Sequence, residues 1–348
     1  MPFAVGCALV AFGCDGLARR SETLQLAVCS DIPVAEGRIT LDTLVAESND
    51  PRSPIGITAR DVAIAPDSHL YVIDGPQSRV IHMEPSGKVV KQWSRAGDGP
   101  GELRSPAAIA FGPDRRVYVA NARGGLISVF SPDGETARTM RAIGFPTISD
   151  LVVLPNGNIV VATDPIVEGG SEPYVAILDH TGALVRAVLK VNRRGAGRVR
   201  PLLLPANLVR LAAGPEGTFA VWYRMDNYVE LFDSGGSPIG HVEGCLPQAI
   251  ADNYLRHTTA NVDVQSALIL TRGVGIGVDT SILVVSAGGA TTGHRSVRVR
   301  RYLLSEGEVE AKDIEIPGST LPGFVFANDS TVLAIRGEEI LRIHLLKK

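Results

Sequence analysis

Arg60-Asp61-Val62-Ala63-Ile64-Ala65-Pro66-Asp67, followed by His69-Leu70-Tyr71-Val72-Ile73-Asp74, holds two short apolar runs parted by a Pro-Asp turn. A third run, Arg79-Val80-Ile81-His82-Met83, leads into a Ser86-Gly87 turn and then Val89-Val90. Short runs rich in β-branched residues, bounded by Pro, Asp, Gly and Ser, read as strands joined by tight turns. The stretch therefore predicts four antiparallel strands in succession.

The same order returns along the chain. Pro106–Phe111, Pro113-Asp114, Val117–Asn121, Leu126–Phe130 and Pro132-Asp133-Gly134 form a second copy. A third runs from Asp150 through Pro155-Asn156-Gly157, Ile159–Ala162, Tyr174–Leu178 and His180-Thr181-Gly182. A fourth holds Leu211–Ala213, Pro215-Glu216-Gly217, Phe219–Trp222, Val229–Phe232 and Ser234-Gly235-Gly236. Two weaker copies hold Gly275–Asp279, Ile282–Val285 and Val297–Tyr302, then Phe324–Asp329, Val332–Ile335 and Ile340–Ile343. A four-stranded unit of about 42–50 residues is the size of a propeller blade. Six such units predict an all-β, six-bladed β-propeller; seven blades is the rival count. The sixth copy has three strands, and Arg38–Val45 alternates apolar and polar residues as a strand does. This N-terminal strand is expected to complete the last blade and close the ring, removing an exposed sheet edge.

Composition agrees. The 348 residues are 45% hydrophobic, enough for a large core, and include 37 Gly and 22 Pro, which disfavour long helices. A formal net charge of −3 offers no global attraction to nucleic acid or a membrane surface.

The second copy opens with Gly97-Asp98-Gly99-Pro100-Gly101-Glu102-Leu103, then Ser105-Pro106, then Val117-Tyr118-Val119-Ala120-Asn121. These residues resemble the NHL-type six-bladed propellers, whose pattern is a Gly-Pro-Gly-Glu loop, Pro-x-Gly-Ile-Ala and Tyr-Val-Ala-Asp. Ala108 stands for the family's Gly and Asn121 for its Asp. The match is good over residues 58–140, fair to 240 and weak beyond. The resemblance implies that the first strand of each blade lines a central channel. It also implies that the loops leading into first strands share a face with those joining second and third strands.

On that face the heads of the first strands are Asp61, Ala108, Asp150, Arg210, Gly273 and Gly323. Two carboxylates and a guanidinium around one mouth could hold a polar ligand or a cation, or simply line a wet channel. Lys190–Arg200, with Arg193, Arg194 and Arg198, carries five positive charges and no negative one, and Arg79, Arg123, Arg224 and Arg295 lie in or beside loops of the same face. Such a patch would suit an anionic partner, a protein or an anionic glycan. No aromatic residue interleaves the run to stack on bases, so nucleic acid is not expected. Residues 247–258 form the one expected helix, started by Pro247.

Residues 1–13 are uncharged, almost wholly apolar and too few to span a bilayer, as a signal peptide would be. Ala11-Phe12-Gly13-Cys14 resembles a lipobox with Cys14 as the lipidated residue, Phe12 being bulky for the motif. Residues 14–36 read as a tether and 37–348 as the propeller domain. Export to the periplasm or cell surface is expected, with any membrane link made through the lipid anchor and the chain a monomer. Cys29 and Cys245 would then form a disulfide or remain two thiols.

No His-Glu-x-x-His, Gly-x-Ser-x-Gly or Cys/His nucleophile pattern occurs, and the seven His do not recur at equivalent blade positions. Gly273–Gly277 lies in strand sequence rather than before a helix, so it is not a nucleotide loop. A binding or scaffolding propeller with no cofactor is the expectation. The alternative is a metal-dependent hydrolase or lyase, with a divalent cation near Asp61 and Asp150.

Overall fold

The computed structural model describes residues 39–45, 59–163, 173–190, 209–223, 228–243, 271–277, 281–291, 294–304, 307–317, 323–328, 331–336 and 339–345. Arg193, Arg194, Arg198, Arg224, Cys14, Cys29, Cys245, the signal and tether segments and the expected helix at 247–258 lie outside these described residues.

Strand β1 (Ile39–Val45) comes first. Blade 1 follows as β2 (Ala59–Ile64), β3 (Leu70–Asp74), β4 (Arg79–Met83) and β5 (Val89–Trp93). Blade 2 is β6 (Pro106–Phe111), β7 (Val117–Asn121), β8 (Leu126–Phe130) and β9 (Thr136–Arg141). Blade 3 is β10 (Asp150–Val153), β11 (Ile159–Ala162), β12 (Pro173–Leu178) and β13 (Leu184–Lys190). Blade 4 is β14 (Val209–Ala213), β15 (Phe219–Tyr223), β16 (Tyr228–Phe232) and β17 (Pro238–Glu243). Blade 5 is β18 (Thr271–Ile276), β19 (Ile282–Thr291), β20 (His294–Leu303) and β21 (Gly307–Pro317). Blade 6 is β22 (Gly323–Asn328), β23 (Thr331–Arg336) and β24 (Glu339–Leu345), with β1 as its outer strand. The protein is a six-bladed β-propeller, and the ring closes as expected: Leu41 pairs with Ile343 and Ile39 with Leu345.

Each blade is an antiparallel meander, so its second strand is flanked by sheet on both edges and by neighbouring blades on both faces. Leu70–Asp74, Val117–Asn121, Ile159–Ala162 and Phe219–Tyr223 are accordingly buried at every position. That is why these stretches read as unbroken apolar runs rather than alternations. The described residues form six apolar clusters, one per seam between blades.

In blades 1 to 3 the turns between first and second strands repeat a single device. Asp67, Asp114 and Asn156 each accept, through Oδ1, the amide two residues on, of His69, Arg116 and Asn158. The residue after each takes a left-handed backbone: Ser68 at φ 67°, Arg115 at 59° and Gly157 at 84°. A short acceptor side chain followed by a left-handed residue closes such a turn.

The Gly-Pro-Gly-Glu loop also has a structural account. Glu102 turns back to accept the Gly99 amide at 2.9 Å and the Arg95 Nε at 2.8 Å, and these bonds lower its pKa. Leu103 is thereby driven fully into the seam between blades 1 and 2.

Blade 5 departs from the sequence expectation. Its outer three strands run 10, 10 and 11 residues, beyond the short runs 282–285 and 297–302. The ladder between β19 and β20 runs on past those runs, pairing Ala287 with Val297 and Thr291 with His294, with a break in register between Ala287 and Ala290.

Candidate functional site

The first strand of each blade pairs only with the second, which leaves its other edge facing the ring axis. Six such edges enclose a cavity of about 1380 Å³. The heads of these strands define the upper mouth and their tails the lower end.

Asp61, Asp150 and Arg210 come together at the upper mouth, with Arg60 and Arg123 beside them in the same lining. Arg60 and Arg123 are exposed and Arg210 is half-buried, its Nη1 donating to the Val209 carbonyl at 2.8 Å. Thr147 and Ser149 add hydroxyls; Thr147 bonds Thr163 at 2.7 Å and Ser149 donates to the Ala162 carbonyl. A side branch of the cavity lies between blades 6 and 1, where Arg342 donates to the Pro85 carbonyl. Arg79, another of the basic residues near this face, is held by the fully buried Asp74 through Nε at 2.9 Å.

The two carboxylates do the same structural task. Asp61 accepts the Val62 amide on Oδ1 and the Ile109 amide of blade 2 on Oδ2, both at 2.9 Å. Asp150 accepts the Leu151 amide and the Leu211 amide of blade 4, both at 2.8 Å. Val62, Ile109, Leu151 and Leu211 occupy equivalent positions, each one residue past the head of its first strand. Each aspartate thus staples its blade to the next by satisfying channel-edge amides that no fourth-strand neighbour reaches.

The seam between blades 5 and 6 is closed differently. A Cβ on Gly273 would sit 2.6 Å from the Phe324 carbonyl oxygen, so only glycine allows this approach. At Gly323 a Cβ would meet nothing within 4 Å.

Burial in the channel wall and the charge of Asp150 raise the pKa of Asp61 to about 7. The two amides and Arg210 pull the other way without cancelling the rise. Asp61 and Asp150, two blades apart, therefore act on one another electrostatically. Among the described residues no three His, Cys, Asp or Glu side chains converge as a metal site requires.

The repeat register, with the channel that the family resemblance implies, predicts Asp61, Asp150 and Arg210 at one mouth, and the structure brings them together in one lining. The register does not mark Arg60, although its place next to Asp61 at a strand head is the available signal. The carboxylates' bonds to neighbouring blades leave no local trace in sequence.

No protein-family model matches the chain. Several solved structures share its fold. A protein from Bacteroides fragilis named as exported has 11% identity and a TM-score of 0.58, covering 92% of this chain and 98% of its own. A catalytically inactive virginiamycin B lyase from Staphylococcus aureus, solved with quinupristin, has 11% identity and a TM-score of 0.55, covering 89% and 100%. A gluconolactonase from Xanthomonas campestris has 14% identity and a TM-score of 0.54, covering 89% and 90%. At these identities the likeness is one of fold.

Proposed function

We propose that this chain is an exported, NHL-type binding propeller that takes an anionic ligand, a glycan or an acidic protein surface, at its upper mouth. The observation that carries the reading is the division of labour among the charged groups there. All four carboxylate oxygens of Asp61 and Asp150 accept backbone amides. Arg60 and Arg123 meanwhile stand exposed in the same lining, with Arg210 half-buried beside them. The acidic side chains are engaged in holding blades together, and Arg60 and Arg123 are exposed. A rigid ring that presents charged groups on one face suits recognition. The apolar N-terminal segment and the similarity to an exported protein support export. Lipidation at Cys14 and the basic run with Arg193, Arg194 and Arg198 belong to the same proposal.

The test is calorimetric titration of the purified chain with a short oligogalacturonate and with an oligoglutamate peptide. Binding of either is expected, weakened about tenfold or more in Arg60→Glu/Arg123→Glu, the equivalent of roughly 1.4 kcal/mol. Unchanged affinity in a double variant that unfolds at the same temperature would overturn the reading.

One observation favours a second reading, a hydrolase or lyase working at this mouth with a divalent ion near Asp61 and Asp150. A carboxyl with a pKa of about 7 can give and accept a proton near neutrality. Stoichiometric divalent metal in the purified protein, lost in Asp61→Asn, would support it; metal-free protein whose stability ignores chelators would oppose it.

A further inference from the structure

Below the level of Asp61 and Asp150 the channel changes character. The first-strand residues that line it there, Val62–Ile64, Ile109–Phe111, Leu151–Val153, Leu211–Ala213, Val274–Ile276 and Phe324–Ala327, carry no polar side chain, whereas Ser68, Thr331, Arg342 and His344 line the branch between blades 6 and 1. Every charged first-strand residue of the lining, Arg60, Asp61, Asp150 and Arg210, sits at the upper end. Ile64, Phe111, Ile276 and Phe326 at the lower end are only partly buried, so apolar surface faces the cavity. The wall is closely built: a Cβ on Gly275 would lie 2.5 Å from Phe326 Cγ, so the absence of a side chain there seats the ring. Apolar surface left facing water is unfavourable, and the cavity, about 1380 Å³ with its mouth and side branch included, has room for a ligand that would cover it.

We propose that the channel binds a small anionic amphiphile, its oxyanion head at the arginines of the upper mouth and its alkyl chain among the apolar first-strand side chains below. The proposal rests on the reading of that mouth as an anion-binding surface and names the ligand class that the channel beneath it fits. Three residues of strand at about 3.3 Å each give the apolar zone a depth of roughly 10 Å. That matches a medium-length chain rather than a single methyl group. Burying one methylene is worth about a fourfold gain in affinity.

The experiment titrates the full chain with acetate, hexanoate and octanoate, following affinity by calorimetry and by ligand-observed NMR. Affinity is expected to rise at least tenfold, on the order of two buried methylenes or more, from acetate to octanoate. Ala213→Glu places a charge at an exposed position of the lower lining and is expected to flatten the dependence on chain length. Ile276→Thr, a milder change in the same zone, should reduce it. Arg60→Glu/Arg123→Glu should weaken every member by a similar factor. Affinity that is independent of chain length but sensitive to the arginine reversals would overturn the amphiphile and leave the anion-binding mouth standing. Affinity that rises with length but ignores the reversals would overturn the anionic head and with it the reading of the mouth. No binding by any member would overturn the proposal.

Discussion

Asp150 in blade 3 accepts the Leu211 amide of blade 4 at 2.8 Å, the same bond that Asp61 in blade 1 makes to the Ile109 amide of blade 2. Two of the six seams are thus joined at the channel edge by a carboxylate. The others have Ala108, Arg210, Gly273 or Gly323 at the corresponding place.

Removing one staple should cost stability without changing the fold. Asp150→Ala leaves the Leu151 and Leu211 amides without their acceptor, and an orphaned buried donor costs about 1–3 kcal/mol. Asp150→Asn keeps one carbonyl acceptor and should cost less. Urea midpoints of the two variants against the parent measure this; equal midpoints would mean that the bonds contribute nothing net.

Asp61 predicts a pH dependence with a definite sign. Its pKa is raised from 3.8 to about 7 in the folded chain, so between those values the folded state holds more proton than the unfolded one. Stability must then fall as pH rises through that window, and level off above it. Asp61→Asn should remove this contribution. The check compares unfolding midpoints at pH 4.5 and 7.5, about the two ends of the window, in parent and variant. An identical pH response in both would contradict the raised pKa.

The fifth and sixth blades should respond to a single methyl group at one position and not at another. Gly273→Ala forces its Cβ to within 2.6 Å of the Phe324 carbonyl oxygen and should cost about 1–3 kcal/mol, as overpacking does. Gly323→Ala, at the equivalent head of β22, meets open space and should lie within about 0.5 kcal/mol of the parent. Thermal melts of the pair test the contrast.

The left-handed turn positions should divide by residue type. Gly157→Ala has room for its methyl group but sits at φ 84°, so its penalty of about 1 kcal/mol is backbone strain alone. Ser68→Gly and Arg115→Gly relieve the same strain and should gain about 0.5 kcal/mol each, after the entropy cost of glycine. Chemical denaturation of the three variants gives the signs directly.

Much of this architecture is visible before folding because the repeat is written in local chemistry. Asp67, Asp114 and Asn156 were found as turn anchors because Asx side chains bond to backbone only two residues away. The alternation of Ile39–Val45 marked a strand in need of a partner, and the three-stranded last copy supplied one. Once the strand register was known, Asp61, Asp150 and Arg210 had to share one mouth. The extent of blade 5 was hidden because glycine is a weak strand former and Gly288 and Gly289 fall at a break in register, beyond which pairing resumes at Ala290.

The chain order of apolar runs and turn residues was enough to specify the blades, since each meander depends on contacts between near neighbours, and a three-stranded last copy beside a lone N-terminal strand pointed to the way the ring closes. Which acceptor each mouth carboxylate serves, why Gly273 tolerates no side chain and how the channel divides into a charged and an apolar zone were decided only in three dimensions. Those relations join residues about fifty positions apart, across seams that exist only after the blades have packed.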